Sequence, residues 1–170
     1  MAIFSNLTEL QSGTHAIFES SLIRSTISGH TNDVLVVSES GSGENVTRTP
    51  IDVDNGVAVR VKEFTHDPNA NNTLMNGFQE RYAVIAGTKD KISVLGTPAL
   101  IKDNLTTFSG NEAFFYNKAG VDAKAYELVG DENGDGDVFG VTKEAFANPN
   151  DANIRVGSYV VVNGNGKYVV

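Results

Sequence analysis

The strongest constraint on the fold is the segment VDNGVAVRV, in which a turn-forming pair is followed at once by strict alternation. Asn55-Gly56 is the dipeptide most typical of a tight β-hairpin turn, because both residues tolerate the left-handed backbone that this turn requires. Val57, Val59 and Val61 then recur at every second position, which places their side chains on one face of a strand. The segment predicts a β-hairpin with one buried face.

Similar short apolar runs, separated by Gly, Asn and Ser, follow along the rest of the chain. Strands are predicted for DVLVVS, ERYAVIAG, KISVLG, AKAYELV and GDVFGVT, and a closing hairpin for VGSYVVVNGNGKYVV. Only TKEAFA, at 142–147, has the character of a short helical turn. Roughly eight to ten strands of this length are typical of a small sandwich or barrel. We therefore expect a mainly β fold, a small β-barrel or β-sandwich with little helix.

The first 30 residues differ from the remainder because their apolar side chains keep neither a helical nor a strand period. Any helical stripe is interrupted at Ser12-Gly13, and Ser and Thr are frequent on both sides. This composition predicts an extended N-terminal arm that gains order by packing on a partner, with one or two short helices as the alternative. The predicted organisation is an arm at 1–30 and a single β-rich domain at 31–170.

Charge and composition exclude several classes of function. The chain has 13 basic and 21 acidic residues, a net charge of −8, which disfavours binding to nucleic acid or to an anionic membrane surface. It has no cysteine, so disulfides, thiolate metal sites and cysteine nucleophiles are ruled out. No apolar run reaches the roughly 20 residues of a membrane span, and we expect no secretion signal. No cofactor is expected.

One acidic loop, GDENGDGDVFGV at 130–141, is spaced like a calcium-binding loop. Asp131, Asn133, Asp135 and Asp137 supply oxygen atoms at the first, third, fifth and seventh positions. The twelfth position is Thr142, whose hydroxyl cannot replace the bidentate carboxylate that such a loop needs. Its flanks also alternate like strands where helices are required. We therefore interpret the segment as an acidic hairpin loop, with a weak calcium site as the alternative.

No catalytic arrangement is visible in the sequence. His15, His30 and His66 are isolated in polar stretches, without a neighbouring carboxylate or second histidine, and are interpreted as solvated surface residues. No G-x-S-x-G motif marks a serine nucleophile, and the Gly-rich turn at 41–45 lacks the Lys and the helix of a phosphate-binding loop. The chain is therefore predicted not to be an enzyme.

The order of segments in about residues 50–170 resembles a known type of virion protein. DNGVAVRV is followed by ERYAVIAGTKDKISVLGTPALI, then by FFYNKAGVDAKAYELVGDENGDGDVFGVTKEAF and the terminal VGSYVVVNGNGKYVV. This order resembles the small structural proteins of tailed bacteriophages that are encoded near the major capsid protein, in particular head decoration, or cement, proteins. In that comparison DENGDG looks like an insertion between ELVG and DVFGV, which favours a tolerated surface loop over a calcium site.

The resemblance implies a non-enzymatic structural protein that binds the outside of a bacteriophage capsid and stabilises it. It implies the major capsid protein as partner, with residues 1–30 as the main contact. It further implies assembly in the bacterial host cytoplasm and a final location on the capsid surface of the virion. Self-association is left open between monomer and trimer. Two alternatives remain, a tail or head-fibre component of the virion and a calcium-dependent binding module.

Overall fold

The chain forms mostly short β-strands, as a computed structural model shows for residues 15–19, 23, 31–42, 45–62, 81–88, 91–98, 115–128 and 137–170. The strands in these ranges are β1 Phe18–Glu19, β2 Thr31–Ser40, β3 Thr47–Pro50, β4 Val53–Asp54, β5 Ala58–Val61, β6 Tyr82–Ile85, β7 Ser93–Leu95, β8 Tyr116–Asn117, β9 Ala123–Glu127, β10 Gly140–Val141, β11 Val161–Val162 and β12 Tyr168–Val169. A 3-10 helix, Lys143–Ala145, stands where the sequence predicts a helical turn. The mainly β class with little helix is confirmed.

Five strands close into a barrel in the order β2-β6-β5-β7-β9, because β9 pairs with β2 as well as with β7. The β2–β6 pair is parallel and the other pairs are antiparallel. Strand β2 is long enough to pair both within the barrel and outside it. Its first half pairs with β9 and β6, and its second half, from Val37 to Ser40, pairs with β3 outside the barrel. Of the two predicted architectures, the barrel is therefore the one formed.

The barrel interior is filled by small side chains, as a barrel of only five strands requires, since interior width grows with strand number. Its buried residues are Val34, Val36, Val53, Val57, Val59, Ala83, Leu95, Ala123 and Ala125. Alternation along β5 directs Val59 inwards, and Val61 packs against the same core. The inward face predicted from the alternating valines is confirmed.

A second core lies on the outside of the barrel, beneath the C-terminal hairpin. Its buried residues are Ala16, Ala58, Ala86, Ala145, Val162 and Tyr168. Strand β5 contributes to both cores, because Ala58 points outwards while Val59 points inwards. The hairpin is thus built onto the barrel wall, and burial of each large side chain there contributes roughly 2 kcal/mol.

The turn at Asn55-Gly56 forms, but the hairpin predicted around it is wrong. Gly56 has a left-handed backbone, with φ of 78°, but Asn55 does not, so the turn is not the hairpin type that needs this backbone at both positions. Moreover, β4 pairs with β8, while β5 pairs with β6 and β7. The reason is that the Asn55 side chain bonds across to Thr97, accepting from its backbone N–H at 3.0 Å and donating to its carbonyl at 2.9 Å. The turn is therefore a corner between two sheets.

The closing hairpin is confirmed as the antiparallel pair β11–β12. Its loop is held by the side chain of Asn163, which accepts hydrogen bonds from the backbone N–H of Asn165 at 2.9 Å and of Lys167 at 3.0 Å. The strand predicted for GDVFGVT is shorter than expected, because only Gly140–Val141 pairs, and its partner is β1.

Part of the predicted N-terminal arm packs against the domain. Residues 18–19 form β1 on β10, and Ile17 and Thr142 exchange two hydrogen bonds, each 3.1 Å long. Ala16 and Ile23 are buried. The other residues of the 1–30 segment lie outside the described residues, so the division into an arm and a domain stays a prediction.

Candidate functional site

The predicted calcium ligands lie mostly outside the described part of the chain. Asp131, Asn133 and Asp135 fall beyond it, and Asp137 stands in the segment that leads into β10. Among the residues that the structure describes, no group of three or more His, Asp or Glu side chains is placed to hold a metal ion. The calcium alternative remains a prediction.

His15 has a carboxylate partner, so its interpretation as an isolated surface histidine is wrong. Its Nδ1 lies 2.7 Å from Oδ1 of Asp54, and its ring stacks on Tyr116 with centroids 5.1 Å apart. A carboxylate can only accept a hydrogen bond, so Nδ1 must carry the proton. The sequence did not reveal this pair because its members are 39 residues apart. His30 and His66 lie outside the described residues.

A buried amide network holds the β4–β8 pair against the barrel. Asn117 donates from Nδ2 to the carbonyl of Val53 and to Oδ1 of Asn55, both at 3.1 Å. Asn55 in turn is bonded to Thr97, which follows β7. The contacts of His15 with Asp54 and Tyr116 join the N-terminal segment to this network at β4 and β8. The role of the network is structural, since its amide groups bond to the backbone of Val53 and Thr97 and to each other.

A charged cluster fixes the outer half of β2 and β3. The carboxylate of Glu39 contacts Lys62 and accepts from Nε of Arg48 at 3.1 Å, and the Arg48 guanidinium lies 4.8 Å from the centre of the Tyr82 ring. The hydrogen bond from Lys62, with a further one from Arg48, lowers the pKa of Glu39 below its ordinary value of 4.5, against the opposing effect of burial. The cluster joins β3 to the barrel through side chains of four segments.

Protonation of Glu39 should weaken the fold in acid. Because its pKa is lower in the folded chain than in the unfolded chain, its stabilisation is fully present above pH 4.5 and is lost as the pH falls through the folded value. We expect Glu39→Gln to lower the free energy of unfolding by about 1 kcal/mol at pH 7. The difference from the wild type should shrink at pH 3.

Urea unfolding at the two pH values measures this effect. Asp122→Asn, which removes an exposed carboxylate from the turn before β9, is the matched control for the loss of one negative charge. An equal cost of Glu39→Gln at pH 7 and pH 3 would contradict the assigned role.

The C-terminal hairpin is held on the barrel at several points. The carbonyl of Gly166 accepts from the N–H of Ala58 at 2.9 Å, and the carbonyl of Tyr168 accepts from the N–H of Ala147 at 2.9 Å. The Tyr168 ring packs against Phe139 and Phe146 at centroid distances of 5.6 and 6.0 Å. Burial raises the pKa of its phenol far above the ordinary value, so this residue stays neutral. The hairpin is therefore a fixed part of the domain.

Lys167 and Glu144 connect the hairpin loop to the 3-10 helix. The Lys167 ammonium donates to the backbone carbonyl of Glu144 at 2.9 Å. The hydroxyl of Thr142 lowers the pKa of the Glu144 carboxyl, with smaller contributions from a backbone hydrogen bond and from the charges of Lys143 and Lys167. These contacts fix the orientation of the hairpin relative to the helix.

The outward face of this hairpin is apolar and exposed. Val161 and Val169 lie opposite each other in the β11–β12 pair, and Tyr159 precedes Val161 by two residues. Their exposed fractions are 91% for Tyr159, 67% for Val161 and 38% for Val169. Val160 and Val162, which alternate with them, pack into the core beneath. We name Tyr159, Val161 and Val169 the outward strip.

The outward strip was missed in the sequence, although a signal for it exists. The run Tyr159–Val162 is continuously apolar, whereas a hairpin packed on a barrel wall can bury only one of its two faces. Half of a continuous run in such a hairpin must therefore face outwards. Recognising this requires knowing that the hairpin lies outside the barrel, which alternation alone does not reveal.

Comparison with protein-family models, with curated proteins and with solved structures found no match. Within the described residues, no helix has the length and the apolar character needed to cross a bilayer.

Proposed function

We propose that this chain is a non-enzymatic structural protein of a bacteriophage virion, which binds the outside of the capsid and stabilises it. The observation that carries the proposal is the outward strip on a hairpin that is firmly fixed to the barrel. Apolar side chains held in this exposed position are typical of a protein–protein contact. A rigid module with such a contact suits a protein whose function is to bind a surface.

The segments that carry the resemblance to decoration proteins support the same proposal. DNGVAVRV forms the corner and β5, ERYAVIAG contains β6, and AKAYELV contains β9. All three belong to the barrel, and VGSYVVVNGNGKYVV forms the hairpin that bears the outward strip. The segments quoted for the resemblance thus form much of the barrel and the hairpin that bears the outward strip.

The N-terminal segment supplies a further capsid contact in this proposal. Ala16 and Ile23 are buried and β1 is paired, so these positions of the predicted arm at 1–30 contribute to the packing of the domain. Residues 1–14, which precede them, are proposed to be part of the capsid contact. Its partner is the major capsid protein.

A chain lacking residues 1–14 should bind capsids at least tenfold more weakly than the full chain, while its thermal unfolding midpoint stays unchanged. Binding is measured by co-sedimentation with capsids that lack this protein. Deletion of all 30 residues is not an equivalent test, because it also removes Ala16, Phe18 and Ile23 from their packing sites. Full affinity of the shorter deletion would refute this placement of the contact.

The position of labelled protein on whole particles distinguishes the capsid role from other virion roles. Electron microscopy should show the label distributed over the heads. Label confined to tails or head fibres would instead assign the chain to those parts. Heat released on calcium addition, with a raised melting temperature, would support the calcium-dependent binding module.

A further inference from the structure

We infer that the outward strip, together with Arg155, forms a second docking site that takes an apolar, acid-flanked surface of the capsid protein. This inference rests on the proposed function and adds the chemistry of the partner to it. The residues concerned lie on one hairpin and on the tight turn before it, where the N–H of Ser158 donates to the carbonyl of Arg155 at 3.1 Å.

The apolar part of the site is fixed before any partner binds. Val162 and Tyr168 are buried in the core beneath, so the opposite faces of β11 and β12 must point outwards. The hydrogen bonds from Ala58 to Gly166 and from Ala147 to Tyr168 hold the hairpin loop and β12, and β11 is held through its pairing with β12. Binding through this face therefore costs little ordering of the backbone, which favours affinity for a given area.

The charge of the C-terminal segment that carries the strip indicates the kind of partner. Residues 155–170 contain the basic side chains Arg155 and Lys167 and no Asp or Glu, although the chain has 21 acidic residues. Arg155 is exposed, whereas Lys167 is half-buried against the 3-10 helix. A partner surface with carboxylates beside an apolar patch complements this arrangement, because opposite potentials steer and orient association.

A second copy of this chain fits the strip less well. The net charge of −8 on each copy opposes the approach of two copies. The strip is also small, since a stable interface takes about 20 residues from each side. A contact of this size is effective when the chain is already held at another point, as residues 1–14 would hold it.

The test compares binding to capsids for two pairs of variants. Val161→Asp places a carboxylate in the strip, and Val121→Asp makes the same change at a valine that is 58% exposed in the turn before β9. Arg155→Glu reverses the charge beside the strip, and Lys118→Glu reverses an exposed charge elsewhere. We expect Val161→Asp and Arg155→Glu to weaken binding about tenfold and both controls to bind as the wild type.

Several results would overturn the inference, and they can be told apart. If the full chain binds capsids and both strip variants bind equally well, the docking site is wrong while the proposed function stands. If the full chain itself does not bind, both fail. In addition, light scattering measures the mass of the free protein in solution. A loss of dimer mass in Val161→Asp, with capsid binding unchanged, would assign the strip to a second copy. Because Arg155 is exposed, Arg155→Glu remains informative if Val161→Asp lowers the melting temperature.

Discussion

Substitution of Gly166 by alanine should lower the free energy of unfolding by roughly 2–5 kcal/mol and loosen the C-terminal hairpin from the barrel. Gly166 has φ of 69°, a backbone conformation that costs an L-residue with a side chain about 1–2 kcal/mol. A Cβ atom there would also lie 2.6 Å from the carbonyl oxygen of Ala58 and 2.9 Å from side-chain atoms of Val57 and Ile85. The carbonyl belongs to a barrel strand, so it cannot move aside without disturbing β5.

The loss has two causes, the strained backbone conformation and the steric overlap of the Cβ atom. Alanine substitutions at two other glycines separate them. A Cβ atom on Gly164, in the same loop, would meet no atom within 4 Å, and this residue does not have a left-handed backbone. Gly157 has φ of 85° but also has open space around it. In urea unfolding we expect Gly164→Ala to be nearly neutral and Gly157→Ala to cost about 1 kcal/mol. If Gly166→Ala costs no more than Gly157→Ala, the hairpin is not packed as described.

The N-terminal segment should be coupled energetically to the barrel through Phe18 and Gly96. The ring of Phe18 lies directly against Gly96, so that a Cβ atom there would overlap two of its ring carbons and would approach the ring of Tyr126 to 2.8 Å. Phe18 also packs on Tyr126 and Phe139, with centroids 5.5 and 6.0 Å apart. We expect Phe18→Ala to cost about 2–3 kcal/mol and Gly96→Ala about 1–3 kcal/mol.

The double variant Phe18→Ala with Gly96→Ala measures the energetic coupling between the two positions more directly than either single variant. Once Phe18 is removed, the added methyl group at Gly96 has space on that side, while its close contact with Tyr126 remains. The cost of the double variant should therefore be smaller than the sum of the single costs by about 1 kcal/mol or more. Additive costs in urea unfolding would mean that β1 does not lie on this part of the barrel.

The sequence allows the strand content and several strand faces to be predicted, because alternation has a physical cause within each strand. Val57, Val59 and Val61 fill the barrel as their spacing predicts. Alternation does not determine which strands become neighbours, so it does not distinguish a barrel from a sandwich. The β2–β9 pairing, which closes the sheet, makes this fold a barrel. That pairing joins segments about 90 residues apart, for which no local pattern exists.

The Asn55-Gly56 corner and the exposed hairpin face were harder to predict than the strand content, and each has a physical reason. The Asn55-Gly56 pair has the local chemistry of a hairpin turn, but a side-chain contact with Thr97 makes it a corner. In the closing hairpin, the exposure of Val161 depends on which wall the hairpin packs against. Both outcomes are decided by contacts between distant segments. Local patterns therefore identify the elements and leave the exposed faces to tertiary packing.

The central proposal, that this chain binds the outside of a capsid, is tested most directly with bacteriophage heads assembled without it. Purified chain is added in increasing amounts, the bound fraction is measured by co-sedimentation, and the saturated heads are imaged by electron microscopy. We expect saturable binding at a fixed number of copies per head, with added density on the outer surface of the shell. Absence of saturable binding to heads that are intact would contradict the account.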